Sequence, residues 1–268
     1  MAIFVTGPQY TKMIFHYHNT PIHYHKQGTG PVIVMLHGFL ESSSMWQKIA
    51  TVLSKKNTVL LLDLPGFGQS GMLEKTHTME NMAIMVCELL AFENFHSATL
   101  LGHSMGGYVA LAFGELFPEK IEKLILLNSS PSPDSISRKE NRNRALTIIN
   151  KNKAAFITMA IGNLFTVEEK SRHTLAIKGL KNEALHHSVN GITAAIEAMR
   201  DRKDRTTILK NLPCEKHIIA GRFDLIIPLV DIVPLTKQTK ITLHATDSGH
   251  MSWLTNGQEI IAILRGIV

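Results

Sequence analysis

The chain has 268 residues, 44% of them apolar and 19% charged. That balance belongs to a folded domain with a substantial core and excludes a disordered or fibrous chain. The net charge of +6 is local: residues 131–205 hold fourteen Lys and Arg against eight Asp and Glu, and the remainder is neutral. Aromatic residues do not interleave with the basic ones, as a nucleic-acid stacking surface requires.

The first residues, MAIFVTGPQYTK, lack a basic segment followed by a sustained apolar one, so no signal peptide is expected. Next, MIFHYHNTPIHYHKQGTG has two alternating runs around Asn19-Thr20-Pro21, the pattern of a β-hairpin. Its His16, His18, His23 and His25 recur two apart, which puts each pair on one face. A solvated surface is the expectation there, not a metal site. VIVML (32–36), TVLLLDL (58–64), ATLLG (98–102) and KLILLN (123–128) are short continuous apolar runs. Such runs suit strands buried on both faces of a parallel sheet. Helical patterns separate them at Met45 to Leu53, Thr78 to Phe92 and Gly106 to Phe117, the last stopped by Pro118. Strand–helix alternation of this kind predicts a doubly wound, mostly parallel α/β fold.

After Asn128 the alternation breaks. Residues 131–205 are polar, basic and helical in pattern, and strand signals resume at HIIAG (217–221) and ITLHA (241–245). The expected organisation is therefore a core of residues 1–130 and 206–268, with 131–205 inserted as a helical lid of the same domain. Cys87 and Cys214 have no metal spacing and make no disulfide framework, as in a reducing compartment. No run approaches the roughly 18 apolar residues that span a bilayer. A cytoplasmic protein without a nucleic-acid or membrane partner is expected, and its oligomeric state is left open.

One serine interrupts this pattern. In GHSMGG, Ser104 stands where a strand hands over to a helix, and ligands of parallel sheets bind beyond the carboxyl ends of the strands. A turn that sharp needs small residues two before and two after, and these are Gly102 and Gly106. It lifts the hydroxyl clear of the sheet at a helix N-terminus, where developing negative charge is favoured. A serine hydroxyl also needs a base, and the base needs an orienting group. Asp224 follows HIIAG in GRFDLIIP, and His250 follows ITLHA in ATDSGHMSW. The position after KLILLN offers only Asn128 and serines, with Asp134 further on. Asp247 reads as a turn residue. Backbone N–H groups of Met105 and Phe39 are the candidate oxyanion donors, with His37 and Gly38 shaping the second loop. His103 is expected to pack beneath the elbow, its side chain away from Ser104.

HGF, DLPGFGQS, GHSMGG, GRFD and SGHM, in this order, resemble the α/β-hydrolase superfamily, close to its small carboxylesterase-like members. The resemblance covers residues 33 to 250 with only the lid unmatched. It implies a serine hydrolase of a small ester or acyl substrate, working without cofactor or metal through Ser104, Asp224 and His250. Epoxide hydrolases and haloalkane dehalogenases carry aspartate at the elbow, and proline iminopeptidases usually carry tryptophan where this chain has Met105. Carbon–carbon bond hydrolases share Ser-Met-Gly-Gly, though asparagine commonly stands where this chain has His103. They are the alternative, together with the similar lyase of menaquinone synthesis, for which Arg138, Arg142 and Arg144 are available. A receptor that retains the triad is a more distant alternative.

Overall fold

The six apolar runs become six adjacent strands of an eight-stranded sheet in the computed structural model, which describes residues 11–73, 77–237 and 239–268. The expectation about a signal peptide rests on residues that lie almost wholly outside these. The strands are β1 (Thr11–Tyr17), β2 (Thr20–Gln27), β3 (Val32–Leu36), β4 (Thr58–Leu62), β5 (Ala98–His103), β6 (Ile121–Leu127), β7 (Glu215–Gly221) and β8 (Ile241–Thr246). Their spatial order is β1-β2-β4-β3-β5-β6-β7-β8; β1/β2 and β2/β4 are antiparallel and every other pair is parallel. The hairpin turns at His18 and Asn19, both with positive φ (43° and 66°), the twist that a two-residue loop between antiparallel strands favours. On it His16 and His18 are exposed, while His23 and His25 are half-buried.

Consecutive residues of the central strands enter opposite layers, which is why their sequence shows no polar alternation. Ile33, Met35, Leu61, Leu101, Ile125 and Ile219 pack with helices α1 (Gln47–Leu53) and α12 (Gly257–Ile267). Val34, Leu36, Leu60, Leu100, Leu124 and Ile218 face α2 (Met79–Phe92) and α3 (Met105–Leu116) on the other side. Leaving any one of these large side chains exposed would forgo about 1.5–3 kcal/mol, so the two layers fix the register of the whole sheet.

Between β6 and β7 the chain forms only helices: α4 (Ile136–Lys151), α5 (Lys153–Gly162), α6 (Val167–Arg172), α7 (Thr174–Ala184), α8 (Val189–Asp201) and α9 (Thr206–Asn211). Asn and Ser side chains cap α4, α5 and α8, and Thr166 with Glu169 closes a capping box on α6. The remaining helices are α10 (Leu229–Thr236) and the short α11 (Ser252–Thr255). Not all of the basic surplus faces solvent. Arg205 is buried against Glu80 and Glu115, and Arg202 is buried against Asp134. Among the described residues no helix is long and apolar enough to cross a membrane.

Candidate active site

β3, β5, β7 and β8 are parallel and in register, with Leu36 opposite Gly102 and Gly221 opposite Thr246. Their carboxyl ends therefore lie along one edge of the sheet. The loops that carry Phe39, Ser104, Asp224 and His250 all leave from that edge. Between β4 and β5 the sheet order reverses around β3, the crevice at which such sheets hold ligands.

Ser104 sits between β5 and α3 with φ 49° and ψ −113°. A non-glycine residue there stores strain on the order of 1–3 kcal/mol, and it persists only when its surroundings hold it. They do: Ser104 N–H donates to the Leu127 carbonyl at 3.0 Å, and its own carbonyl accepts from Gly107 N–H (3.0 Å) and the Ser129 hydroxyl (2.8 Å). A Cβ on Gly102 would stand 2.4 Å from the Gly106 carbonyl oxygen, and one on Gly106 would stand 2.2 Å from that of Leu36. Backbone cannot yield there as a flexible side chain can. Gly106→Ala is thus expected to lower the thermal midpoint well beyond Gly179→Ala, since Gly179 has open space around it. A scanning melt of the two variants checks this.

The structure brings Ser104, His250 and Asp224 into one line. His250 Nε2 is 3.0 Å from Ser104 Oγ, and His250 Nδ1 is 2.9 Å from Asp224 Oδ2. Asp224 and His250 are buried, whereas Ser104 is partly open to the cavity above it. Asp224 Oδ1 accepts the Ile226 and Ile227 N–H groups at 2.8 and 2.9 Å, while Oδ2 accepts the Asn128 side-chain amide at 2.9 Å. Burial alone would raise the Asp224 pKa, but the charge of His250 and these hydrogen bonds outweigh it and hold the carboxyl below its ordinary value. Asp247 is elsewhere, in a surface ion pair with Arg222 at 2.9 Å. Asp134 pairs with Arg142 and Arg202.

The second loop turns sharply, with Leu40 at φ 65°. His37 is fully buried. Its Nε2 accepts from Leu64 N–H at 2.9 Å and its Nδ1–H donates to the Gly38 carbonyl at 2.8 Å, which fixes a neutral tautomer. Burial lowers its pKa accordingly. Phe39 turns its ring edge toward Phe67 and Phe156. Met105 opens α3, so its N–H is among the four that an α-helix leaves without an internal acceptor.

Above Ser104 lies a cavity of about 360 Å³. Phe39, Tyr108, Phe156, Met159, Ile196 and Leu225 give it a largely apolar wall, and Arg138, Asn141 and Arg142 of α4 line one side. Arg138 donates to the Ile226 carbonyl, and Arg142 Nε donates to Asp134 at 3.1 Å. Arg144 is not among the lining residues; it is exposed beside Glu140.

Comparison with known proteins agrees with this architecture. The family described as the alpha/beta hydrolase fold matches residues 31–156. A thermophilic esterase from Thermogutta terrifontis superposes with a TM-score of 0.88 at 27% identity, over 96% of this chain and 97% of that one. The chain has the α/β-hydrolase fold. Among curated relatives, the pimeloyl-[acyl-carrier protein] methyl ester esterase of Pseudoalteromonas atlantica is 29% identical over 75% of this chain and 79% of its own length. An uncharacterized protein of Mycobacterium tuberculosis is 33% identical over 102 residues, so the match spans 38% of this chain and only 30% of that relative.

Within this site three groups escaped the sequence reading. Asn128, passed over as a poor substitute for an acid, instead donates to Asp224 and to the Gly249 carbonyl (3.2 Å) and accepts from the Ser252 hydroxyl. Glu169 on α6 accepts Gly249 N–H at 2.8 Å, tying the inserted helices to the His250 loop. Glu41 is buried three residues beyond Gly38 and carries a charge that no motif announces. Its partner is His103, which does more than fill space beneath the elbow.

Proposed function

We propose that this protein is a serine hydrolase of small carboxylic esters, acting through an acyl-enzyme on Ser104. The observation that carries the reading is the hydrogen-bonded line Ser104–His250–Asp224 at the floor of an apolar cavity. His250 Nε2 takes the Ser104 proton as Oγ attacks the ester carbonyl. The Met105 and Phe39 N–H groups stabilise the oxyanion of the tetrahedral intermediate, aided by the positive end of α3. The imidazolium then protonates the leaving alcohol. Water repeats the sequence on the acyl-enzyme and releases the acid, with Asp224 holding Nδ1–H throughout. No step needs a metal or an organic cofactor.

In the same reading residues 131–205 form a lid, because α4, α5 and α8 supply the cavity's upper wall. Its volume stands near the lower end of the roughly 300–1,000 Å³ that ligand pockets occupy, which favours a compact acyl group. The proposed setting is the cytoplasm, where Cys87 and Cys214 remain free thiols.

Hydrolysis of a p-nitrophenyl ester series from acetyl to palmitoyl tests this. A short-chain optimum at least about tenfold above palmitoyl is expected, since each misfitting methylene costs a factor of that order. A palmitoyl optimum, or no hydrolysis at all by the folded protein, would reject the small-ester reading.

A further inference from the structure

Resting on that reading, we infer that Glu41 and His103 are a charged pair of positioning residues that holds the oxyanion loop and the His250 loop in register on either side of Ser104. The Glu41 carboxylate accepts Gly38 N–H at 2.6 Å and His103 Nδ1–H at 2.9 Å on one oxygen, and Trp253 Nε1–H at 3.1 Å on the other. His103 Nε2–H donates to the His250 carbonyl at 3.1 Å. One continuous chain of contacts thus runs from the loop that presents Phe39, past the residue directly before Ser104, to the backbone of His250.

Both ring nitrogens of His103 face acceptors only, a carboxylate and a carbonyl, so both carry protons and the ring is an imidazolium. Glu41 and His103 are 3% and 1% exposed, so this ion pair has left water, which is costly unless every polar atom is matched. Here they are matched. The pair also fills the space beside Gly38, where a Cβ would stand 2.5 Å from Glu41 Oε2 and 2.7 Å from His103 Nδ1. A side chain at 38 would therefore displace the pair, and the pair sets how closely the loop approaches the elbow.

The titratable groups around the pair are His37 on the oxyanion loop, His250 after β8 and Asp224 after β7. Burial by itself would lower the His103 pKa; the Glu41 carboxylate, with the hydrogen bonds to it and to His250, raises it instead. Burial would likewise raise the Glu41 pKa, and His103 and His37 hold it down. The pair is charged because each His103 ring nitrogen meets an acceptor, and it is dismantled from the alkaline side, when His103 loses its proton.

The test is kcat and KM for p-nitrophenyl butyrate, from mildly acidic to alkaline pH, in wild type, Glu41→Gln, Glu41→Asp, His103→Gln and Ser104→Ala. Wild type is expected to lose kcat at alkaline pH. Glu41→Gln should lower kcat about 100-fold with KM little changed, the order a misplacement of about 1 Å costs. Its alkaline limb should move to lower pH, because the carboxylate that chiefly offsets burial of the imidazole is gone. Glu41→Asp should keep the limb where wild type has it even as kcat falls, and His103→Gln should lack the limb. A merely structural role would lower stability and leave these limbs unmoved.

Ser104-dependent turnover in folded Glu41→Gln with wild-type kcat and limb would overturn the pair while sparing the triad. Should Glu41→Gln not fold, a wild-type limb in His103→Gln would overturn the pair equally. Turnover that survives Ser104→Ala would overturn the triad first, and this proposal with it.

Discussion

Ser104→Ala is expected to lower kcat for ester hydrolysis roughly 10⁶-fold, the scale of removing a serine nucleophile that works as a unit with its base. KM should change little, because the cavity wall of Phe39, Tyr108 and Phe156 is untouched. The fold should survive. Alanine keeps the same Cβ at φ 49°, and the backbone contacts of residue 104 to Leu127, Gly107 and Ser129 do not involve Oγ. Equal melting midpoints for variant and wild type would show that chemistry alone was lost. Residual turnover within tenfold of wild type would mean that another group attacks the ester.

The second large effect is expected from Asp224→Asn, about 10⁴-fold in kcat. The structure supplies a specific reason. Both carboxylate oxygens of Asp224 act as acceptors, Oδ1 for two backbone N–H groups and Oδ2 for Asn128, while His250 Nδ1–H donates between them. An asparagine must turn its NH2 toward one set of donors. If it faces His250, the imidazole is held in the wrong tautomer and Nε2 carries the proton it should accept. If it faces Ile226 and Ile227, two N–H groups lose their partner. Asp247→Asn is the control, expected within about twofold of wild type, since its ion pair with Arg222 is exposed and such pairs contribute about 0–1 kcal/mol. The reverse ranking would reassign the acid. Because the folded-state pKa of Asp224 is depressed, its contribution to stability is present above the unfolded carboxyl's pKa. That contribution is lost as pH falls through the folded-state value, and Asp224→Asn should flatten this acid limb of stability.

The sheet was legible because its strands obey one rule. A strand buried on both faces has no polar alternation, and the five such strands β3 to β7, with the edge strand β8, begin and end within two residues of their apolar runs. Ser104, Asp224 and His250 were legible because a parallel sheet puts function at one edge, which narrows the search to residues just past a strand. What stayed hidden is what only distance in sequence connects. Glu41 reads as one more polar loop residue in LESSS until His103, 62 positions on, and Trp253 close around it. Arg205 reads as one of a basic run, yet it is buried against Glu80 and Glu115. In the inserted segment charge pattern alone does not distinguish a solvated face from an internal ion pair. The arginine expectation divided accordingly: Arg138 and Arg142 line the cavity and Arg144 faces solvent.

The most direct test of the central claim is rapid quenching of the protein with p-nitrophenyl butyrate, followed by peptide mass spectrometry of wild type and Ser104→Ala. The account predicts a transient butyryl adduct on the peptide that carries GHSMGG, located on Ser104 and absent from the variant. An adduct on any other residue, or p-nitrophenol release with no acylated Ser104 at any quench time, would contradict it.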